Sequence, residues 1–279
     1  MVNIDRSVIA DQLTDIALAA GAVILDIYNN DVTVRTKDDR SPVTNADEAA
    51  EKLILARLSV LTPDIPVIAE ERVARDGAPE TVGDRFWLVD PLDGTREFIS
   101  RNGEFTVNIA LIEDGTPTLG VVFAPARGRL FWGTPDGAWV RETDDAGAWG
   151  AARPISVRPS PADGLTVVAS RSHRDAKTDE YLERFDVKEL ISAGSSLKFC
   201  LVAAGEADLY PRLGRTMEWD TGAGHAVLLA AGGTVVTLDG QPLKYGKAPV
   251  YDNPFFVAHS SWPILRGPFL AAKTNEVLT

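Results

Sequence analysis

The chain has 279 residues, 45% of them hydrophobic and 24% charged, a balance that excludes a disordered chain and supplies ample material for a buried core. Forty acidic against 28 basic residues leave a formal charge of -12 and a pI near 4.8. So negative a surface repels phosphate backbones and anionic lipid, which excludes general electrostatic binding to nucleic acid or to a membrane.

Ile9, Leu13, Ile16, Ala20, Val23, Ile24 and Ile27 recur at three- and four-residue steps and predict an amphipathic helix that Asn29-Asn30-Asp31 stops. No charged-then-apolar leader precedes it, and no run is expected to reach the ~18 apolar residues of a membrane span. A polar stretch, Arg35 to Arg40, leads to Thr44, which reads as an N-cap with Asp47 as its capping-box partner. The helix that follows carries Ala46, Ala50, Leu53, Ile54 and Leu58 and ends before Pro63. Pro66–Ala69 reads as a short strand running into Glu70-Glu71, and Phe86–Val89 as another running into Asp90.

Four further strands are predicted at Phe105–Ile112, Thr118–Ala124, Arg129–Gly133 and Ala138–Arg141, separated by Gly, Pro and Asp turn signals. This meander predicts an antiparallel sheet in an N-terminal α+β part, residues 1–150, with the polar stretch Thr143–Ala152 as its boundary. In the C-terminal part, residues 151–279, strands at Leu165–Ser170, Lys188–Ser192 and Ala207–Arg212 alternate with helical patterns near 178–185 and 196–205. That alternation predicts an α/β arrangement, helices packed on a sheet. A helix from Thr221 to Ala231, a hairpin around Asp239-Gly240 and a strand at Phe255–His259 complete the pattern. The single cysteine, Cys200, reads as core; it rules out an intrachain disulfide and fits a reducing cytoplasm.

The acids carry the chemistry. Glu70 and Glu71 follow one apolar strand, Asp90 and Asp93 follow another, and Asp220 opens a helix. Strand ends and helix starts are where α/β proteins gather ligand-binding groups. Pro91 is expected to force a turn that aims both aspartates and the Leu92 carbonyl at one point. Gly94 lets the backbone come close, and Thr95 would begin a helix. Two unit charges ~5 Å apart repel by ~3 kcal/mol at an effective dielectric of ~20, so four such acids in one cleft need cations or protons. Oxygen ligands alone fit a hard ion, Mg²⁺ above all, and carboxylate-held Mg²⁺ most often meets a phosphate. Taken singly, Asp90 or Asp220 is also explained as a turn residue or cap, Asp47 as a capping partner, and Glu70-Glu71 as solvated charge.

The run Trp87–Thr95 (WLVDPLDGT) resembles the first signature of the inositol monophosphatase superfamily of Mg²⁺-dependent phosphatases. Trp219–His225 (WDTGAGH) resembles the second, Ala69–Glu71 the upstream acidic pair, and Ser41–Asp47 the motif opening the second helix. Arg96–Leu111, Ser170–His173 and Gly194–Cys200 are similar to the 3′(2′),5′-bisphosphate nucleotidases of the bacterial CysQ type. The resemblance implies a layered αβαβα sugar-phosphatase fold. It further implies two or three Mg²⁺ ions held by Glu70, Asp90, Asp93, Asp220 and the Leu92 carbonyl.

For catalysis the resemblance implies that Thr95, paired with Asp47, orients the attacking water and takes its proton, with Glu71 as the competing acid or base. Residues 92–95 (Leu92, Asp93, Gly94, Thr95) would wrap the phosphate, with Glu70 and Asp220 beside it. Lys198 and Arg171 would hold a retained 5′-phosphate, and His173 and Ser195 would meet the nucleoside. The implied activity is cytoplasmic removal of the 3′-phosphate from 3′-phosphoadenosine 5′-phosphate, giving AMP, with 3′-phosphoadenylyl sulfate as a second substrate, a role in sulfur metabolism and sensitivity to lithium. Peripheral attachment to the inner membrane enters only through the resemblance. Two alternatives stand beside this: an inositol or sugar monophosphatase of the same fold, and a non-catalytic protein that binds a phosphorylated metabolite. The partner is a small molecule in each case, and oligomeric state is left open. Outside this set, His225, Trp219, Trp132, Trp139 and Trp149 read as packing residues.

Overall fold

In the strand Arg85–Asp93 (β4), neighbouring side chains point opposite ways: Phe86 and Leu88 enter one buried cluster, Trp87 and Val89 another. Repeated across the molecule, this period-two pattern produces its layers. The computed structural model describes residues 6–37, 41–170 and 176–260. It is a mixed α/β fold in which two larger sheets separate three layers of helix, as expected.

The outer layer pairs helix α1 (Arg6–Asn29) with α2 (Asn45–Leu61). Leu13, Ala17 and Ile24 of α1, and Ala50, Ile54 and Leu58 of α2, bury themselves with Trp87 and Val89. Each buried Leu, Ile or Val among them contributes roughly 1.5–3 kcal/mol. The membrane expectation needs correction here: an 18-residue window within Val8–Asn29 has a mean hydropathy of 1.7, and the helix is long and apolar enough to cross a bilayer by length and composition. Asp11, Asp15 and Asp26 interrupt the apolar run and face outward, while the opposite side of the helix packs on the core. Thr44 caps α2 and Asp47 completes the capping box, as predicted.

Below these helices lies a seven-stranded sheet. It contains β3 (Val67–Ala69), β4, β5 (Thr106–Glu113), β6 (Thr116–Ala124), β7 (Arg129–Thr134), β8 (Gly137–Glu142) and β9 (Arg153–Ile155), in that order. Only β3 and β4 run parallel. The three-residue strand β9 carries no alternation long enough to be read from sequence, and it pairs with β8 beyond the polar stretch 143–152. A separate two-stranded ribbon, β1 (Val34–Thr36) with β2 (Pro42–Thr44), leads into α2.

Helices α6 (Leu197–Ala203) and α7 (Glu218–Ala230) fill the layer between the two larger sheets. α7 lies so close to the seven-stranded sheet that a Cβ on Gly120 would stand 2.5 Å from the Ala223 carbonyl oxygen. The second sheet has the order β11 (Val187–Ala193), β10 (Leu165–Ser170), β12 (Leu209–Arg212), β14 (Phe256–His259), β13 (Thr234–Thr237). Its outer face packs Val167, Leu209 and Val257 against Tyr181 and Leu182 of α5 (Ala176–Leu182).

Two local predictions shift. The turn expected at Pro91 is a bulge inside β4: Asp90 pairs with Asn108 and Asp93 with Thr106, so that Pro91 and Leu92 stand against Val107, two residues against one. A bulge is where a strand tolerates proline. Helix α7 begins at Glu218, so Asp220 sits in its first turn rather than before it.

Candidate active site

Parallel pairing of Ala69 with Val89 places the next residues, Glu70 and Asp90, side by side. Glu70 opens the short helix α3 (Glu70–Asp76). Asp220 arrives from the first turn of α7, where its Oδ2 accepts the Met217 N–H at 2.8 Å. Carboxylate oxygens of Glu70, Asp90 and Asp220 lie within 4.8 Å of one another. Asp93 joins Glu70 and Asp220 in lining a cleft of about 530 Å³. Within the bulge, Asp90 Oδ1 accepts the Leu92 N–H at 3.0 Å.

So many acids in one place resist ionisation. Desolvation, reinforced by Glu70, Asp93 and Asp220, pushes Asp90 well above the usual carboxylate range. Desolvation likewise raises Asp220, with Asp93 and Glu70 adding to it. Asp93 is pushed up to about 6, first by desolvation; Lys198 pulls it back while Glu97 and Glu70 add to the rise. The donor set is all oxygen and carries strain that a divalent cation would relieve, so these residues fit Mg²⁺.

Sequence reading missed one cation in this cluster. Lys37 Nζ sits 2.7 Å from both Glu70 Oε1 and Glu71 Oε1. Desolvation acts to lower its pKa, but the two carboxylates outweigh that and raise it. Glu71 is nonetheless pushed up to about 8 by desolvation and by Glu70, against the pull of Lys37. Lys37 lay in a polar stretch with no periodicity, so nothing local marked it.

Thr95 and Asp47 come together as a pair. Gly94, at φ 91°, swings the chain into the short helix α4 (Thr95–Ile99). Thr95 Oγ1 then reaches Asp47 Oδ1 at 3.3 Å and the Leu92 carbonyl oxygen at 3.4 Å. Asp47 is 2% exposed, and its other oxygen accepts the Thr44 hydroxyl and N–H at 2.6 and 2.8 Å. Desolvation pushes it up to about 6 although both Thr44 bonds oppose the rise. Glu71, the alternative partner, is held by Lys37.

The same cleft is lined by Ser195, Lys198, Tyr210 and Arg212. Lys198 is buried; its Nζ donates to the Ser195 carbonyl and lies 5.4 Å from the centre of the Tyr210 ring. Desolvation lowers it to about 8, with Asp93 opposing the shift and Arg212 adding to it. Ser195 Oγ and Arg212 Nε are buried without a hydrogen-bond partner among the described residues. Arg212 was not anticipated, although an arginine ending an apolar strand at a cleft was the available signal. Arg171 and His173 lie outside the described residues. Asn108 joins the two sides of the cleft: its Nδ2 donates to Asp93 Oδ2 at 3.3 Å and to Ser196 Oγ at 3.1 Å, and Ser196 Oγ donates to the Asp220 carbonyl at 2.6 Å.

Residues expected to be structural are so. His225 is buried 2.9 Å from the Tyr245 hydroxyl, and desolvation lowers it to about 3. Cys200 is fully buried, and Trp219 packs on Tyr251.

The inositol monophosphatase family profile matches residues 5–261. A 3′(2′),5′-bisphosphate nucleotidase CysQ of Escherichia coli (strain K12) is 48% identical over 248 residues, 88% of this chain and 97% of that protein. The crystal structure of CysQ from Bacteroides thetaiotaomicron, a bacterial member of the same family, superposes with a TM-score of 0.74 at 38% identity, covering 92% and 98% of the two chains. An inositol monophosphatase from Anabaena (Nostoc) sp. PCC 7120 superposes with a TM-score of 0.68 at 26% identity, covering 92% of each chain.

Proposed function

We propose that this chain, which belongs to the inositol monophosphatase family, is a phosphoric monoester hydrolase that removes the 3′-phosphate of 3′-phosphoadenosine 5′-phosphate, leaving AMP. The observation that carries this reading is the convergence of Glu70, Asp90 and Asp220 beside Asp93, in the cleft that also presents Lys198 and Arg212. The higher identity to CysQ proteins than to the inositol monophosphatase favours the bisphosphonucleotide over an inositol ester.

Glu70, Asp90, Asp93, Asp220 and the Leu92 carbonyl would hold two or three Mg²⁺ ions. When bound, Mg²⁺ supplies positive charge that neutralises the phosphate, lowers the pKa of the attacking water and stabilises the oxygen leaving phosphorus. The chain's own residues do the rest. Thr95 Oγ1 accepts a proton from the water as its own proton passes to Asp47 Oδ1. An Asp47 pKa near 6 makes it a stronger base than a free aspartate while leaving it largely ionised at neutral pH. Residues 92–95 wrap the phosphate being removed.

Removing one phosphate while gripping another requires positive charge away from the acids. Lys198 and Arg212 supply it in this reading, and the unpartnered Arg212 Nε and Ser195 Oγ are free to meet ligand oxygens. Arg171 and His173 remain assigned to the nucleotide on sequence grounds alone. The single buried cysteine is consistent with a cytoplasmic location.

Phosphate release from 3′-phosphoadenosine 5′-phosphate and from inositol 1-phosphate, each with Mg²⁺, tests the proposal. Preferential turnover of the bisphosphonucleotide is expected. Preference for the inositol ester would replace the substrate while keeping the metal site, and no release from either would leave a binding protein.

A further inference from the structure

Helix α3 starts without a cap of its own. Its N-cap residue is Ala69, which makes no side-chain cap bond, and the helix is only seven residues long. So short a helix is marginal in isolation. Yet its first two residues are Glu70 and Glu71, whose charges repel each other and the nearby aspartates. Something outside α3 must hold its first turn.

Lys37 bridges the two side chains, and the backbone of the turn is held from α2. Glu51 Oε2 accepts the backbone N–H groups of Glu71 at 2.9 Å and Arg72 at 3.2 Å. Glu51 is 3% exposed and lies four residues after Asp47, on the same face of α2. It therefore does for α3 what an N-cap side chain ordinarily does, and a carboxylate there is also favoured by the helix dipole. One face of one rigid helix thus carries both the partner of Thr95 and the anchor of the turn bearing Glu70.

We propose that Glu51 is a positioning residue that fixes Glu70 relative to Asp47 and Asp90 by capping α3 from α2. Glu51 touches neither substrate nor ion in this account; it acts through the α3 backbone. The proposal rests on the metal reading above, and its test separates the two. Because the cap requires only an acceptor oxygen at that place, glutamine should replace glutamate while a side chain of similar length without a strong acceptor should not.

The experiment is calorimetric titration of the protein with Mg²⁺ alone, with thermal unfolding and steady-state turnover measured in parallel. Glu51→Met is expected to weaken Mg²⁺ binding about tenfold and to raise the Mg²⁺ concentration for half-maximal turnover by a similar factor. Glu51→Gln should stay within about twofold of the parent in both. Leu58→Ala, a core truncation on the same helix, should lower Tm while leaving Mg²⁺ affinity unchanged, which separates positioning from general destabilisation. Should Glu51→Met fail to fold, Glu51→Asp, which withdraws the carboxylate by one methylene, replaces it with the same weakened binding expected. Parent-like Mg²⁺ affinity in Glu51→Met or its replacement, or Glu51→Gln as impaired as Glu51→Met, overturns the proposal. A parent protein that binds no Mg²⁺ overturns the metal reading, and the role of Glu51 falls with it.

Discussion

Thr95 Oγ1 and Asp47 Oδ1 stand 3.3 Å apart although 48 residues separate them in the chain. The contact exists because Gly94 bends the chain out of β4 at the point where the capped end of α2 arrives. Asp47 is therefore both the capping-box partner of Thr44 and the acceptor for Thr95. Asp47→Asn keeps an acceptor for the cap and removes the carboxylate proposed as the base. It should lower kcat by ~10²–10⁴ with little change in KM. Thr95→Ala should do the same, and the double variant should be no worse than either single one. Additive losses in steady-state kinetics would separate the two residues.

Asp93→Asn is expected to abolish turnover while the protein stays folded. In metal-free buffer its Tm should equal or exceed that of the parent, because desolvation and neighbouring acids already disfavour the ionised form. Turnover assays and a melting curve in chelator check both halves, and full activity would remove Asp93 from the metal site.

The raised carboxylates also set a direction for stability against pH. Asp47 and Asp93 stand near 6 and Glu71 near 8 in the folded chain, with Asp90 and Asp220 raised too. Unfolded carboxylates titrate near 3.9–4.3. From about pH 4 to 8 the folded state therefore holds more protons, so metal-free stability falls as pH rises through that window. His225, held neutral, works the other way below about pH 6.5, and Lys198, lowered to about 8, does so as pH nears 8, but these two stand against six raised carboxylates, Glu51 included. Melting in chelator should give a higher Tm at pH 5.5 than at pH 8, and saturating Mg²⁺ should shrink that difference. An unchanged gap with Mg²⁺ would mean that the ion does not bind these acids.

Lys198 is 4% exposed, so Lys198→Met keeps its stem packed while removing the charge. Loss of a charged hydrogen bond of ~1.5–3 kcal/mol should raise KM for the bisphosphonucleotide roughly 10- to 100-fold. KM for a simple monophosphate ester should change far less. Equal effects on the two substrates would show that Lys198 does not meet the second phosphate.

Sequence alone determined the elements whose causes are local. The Thr44–Asp47 capping box depends on a three-residue spacing, the strand β4 on a short apolar run, and the acidic sites on short motifs at strand and helix ends. A hydrogen bond between near neighbours, or a repeat of two or 3.6 residues, is written in the order of the residues themselves. Tertiary structure decided what depends on register and packing. Pairing of β3 with β4 put Glu70 beside Asp90, and the packing of α7 between the sheets carried Asp220 to them from the other half of the chain. The bulge at Pro91, the hold of Lys37 on two glutamates, the burial of Arg212 and the reach of Glu51 to α3 belong to the same class. Charge–charge and backbone contacts between distant segments arise only once hydrophobic layers have fixed those segments in space, and no neighbour in sequence records them.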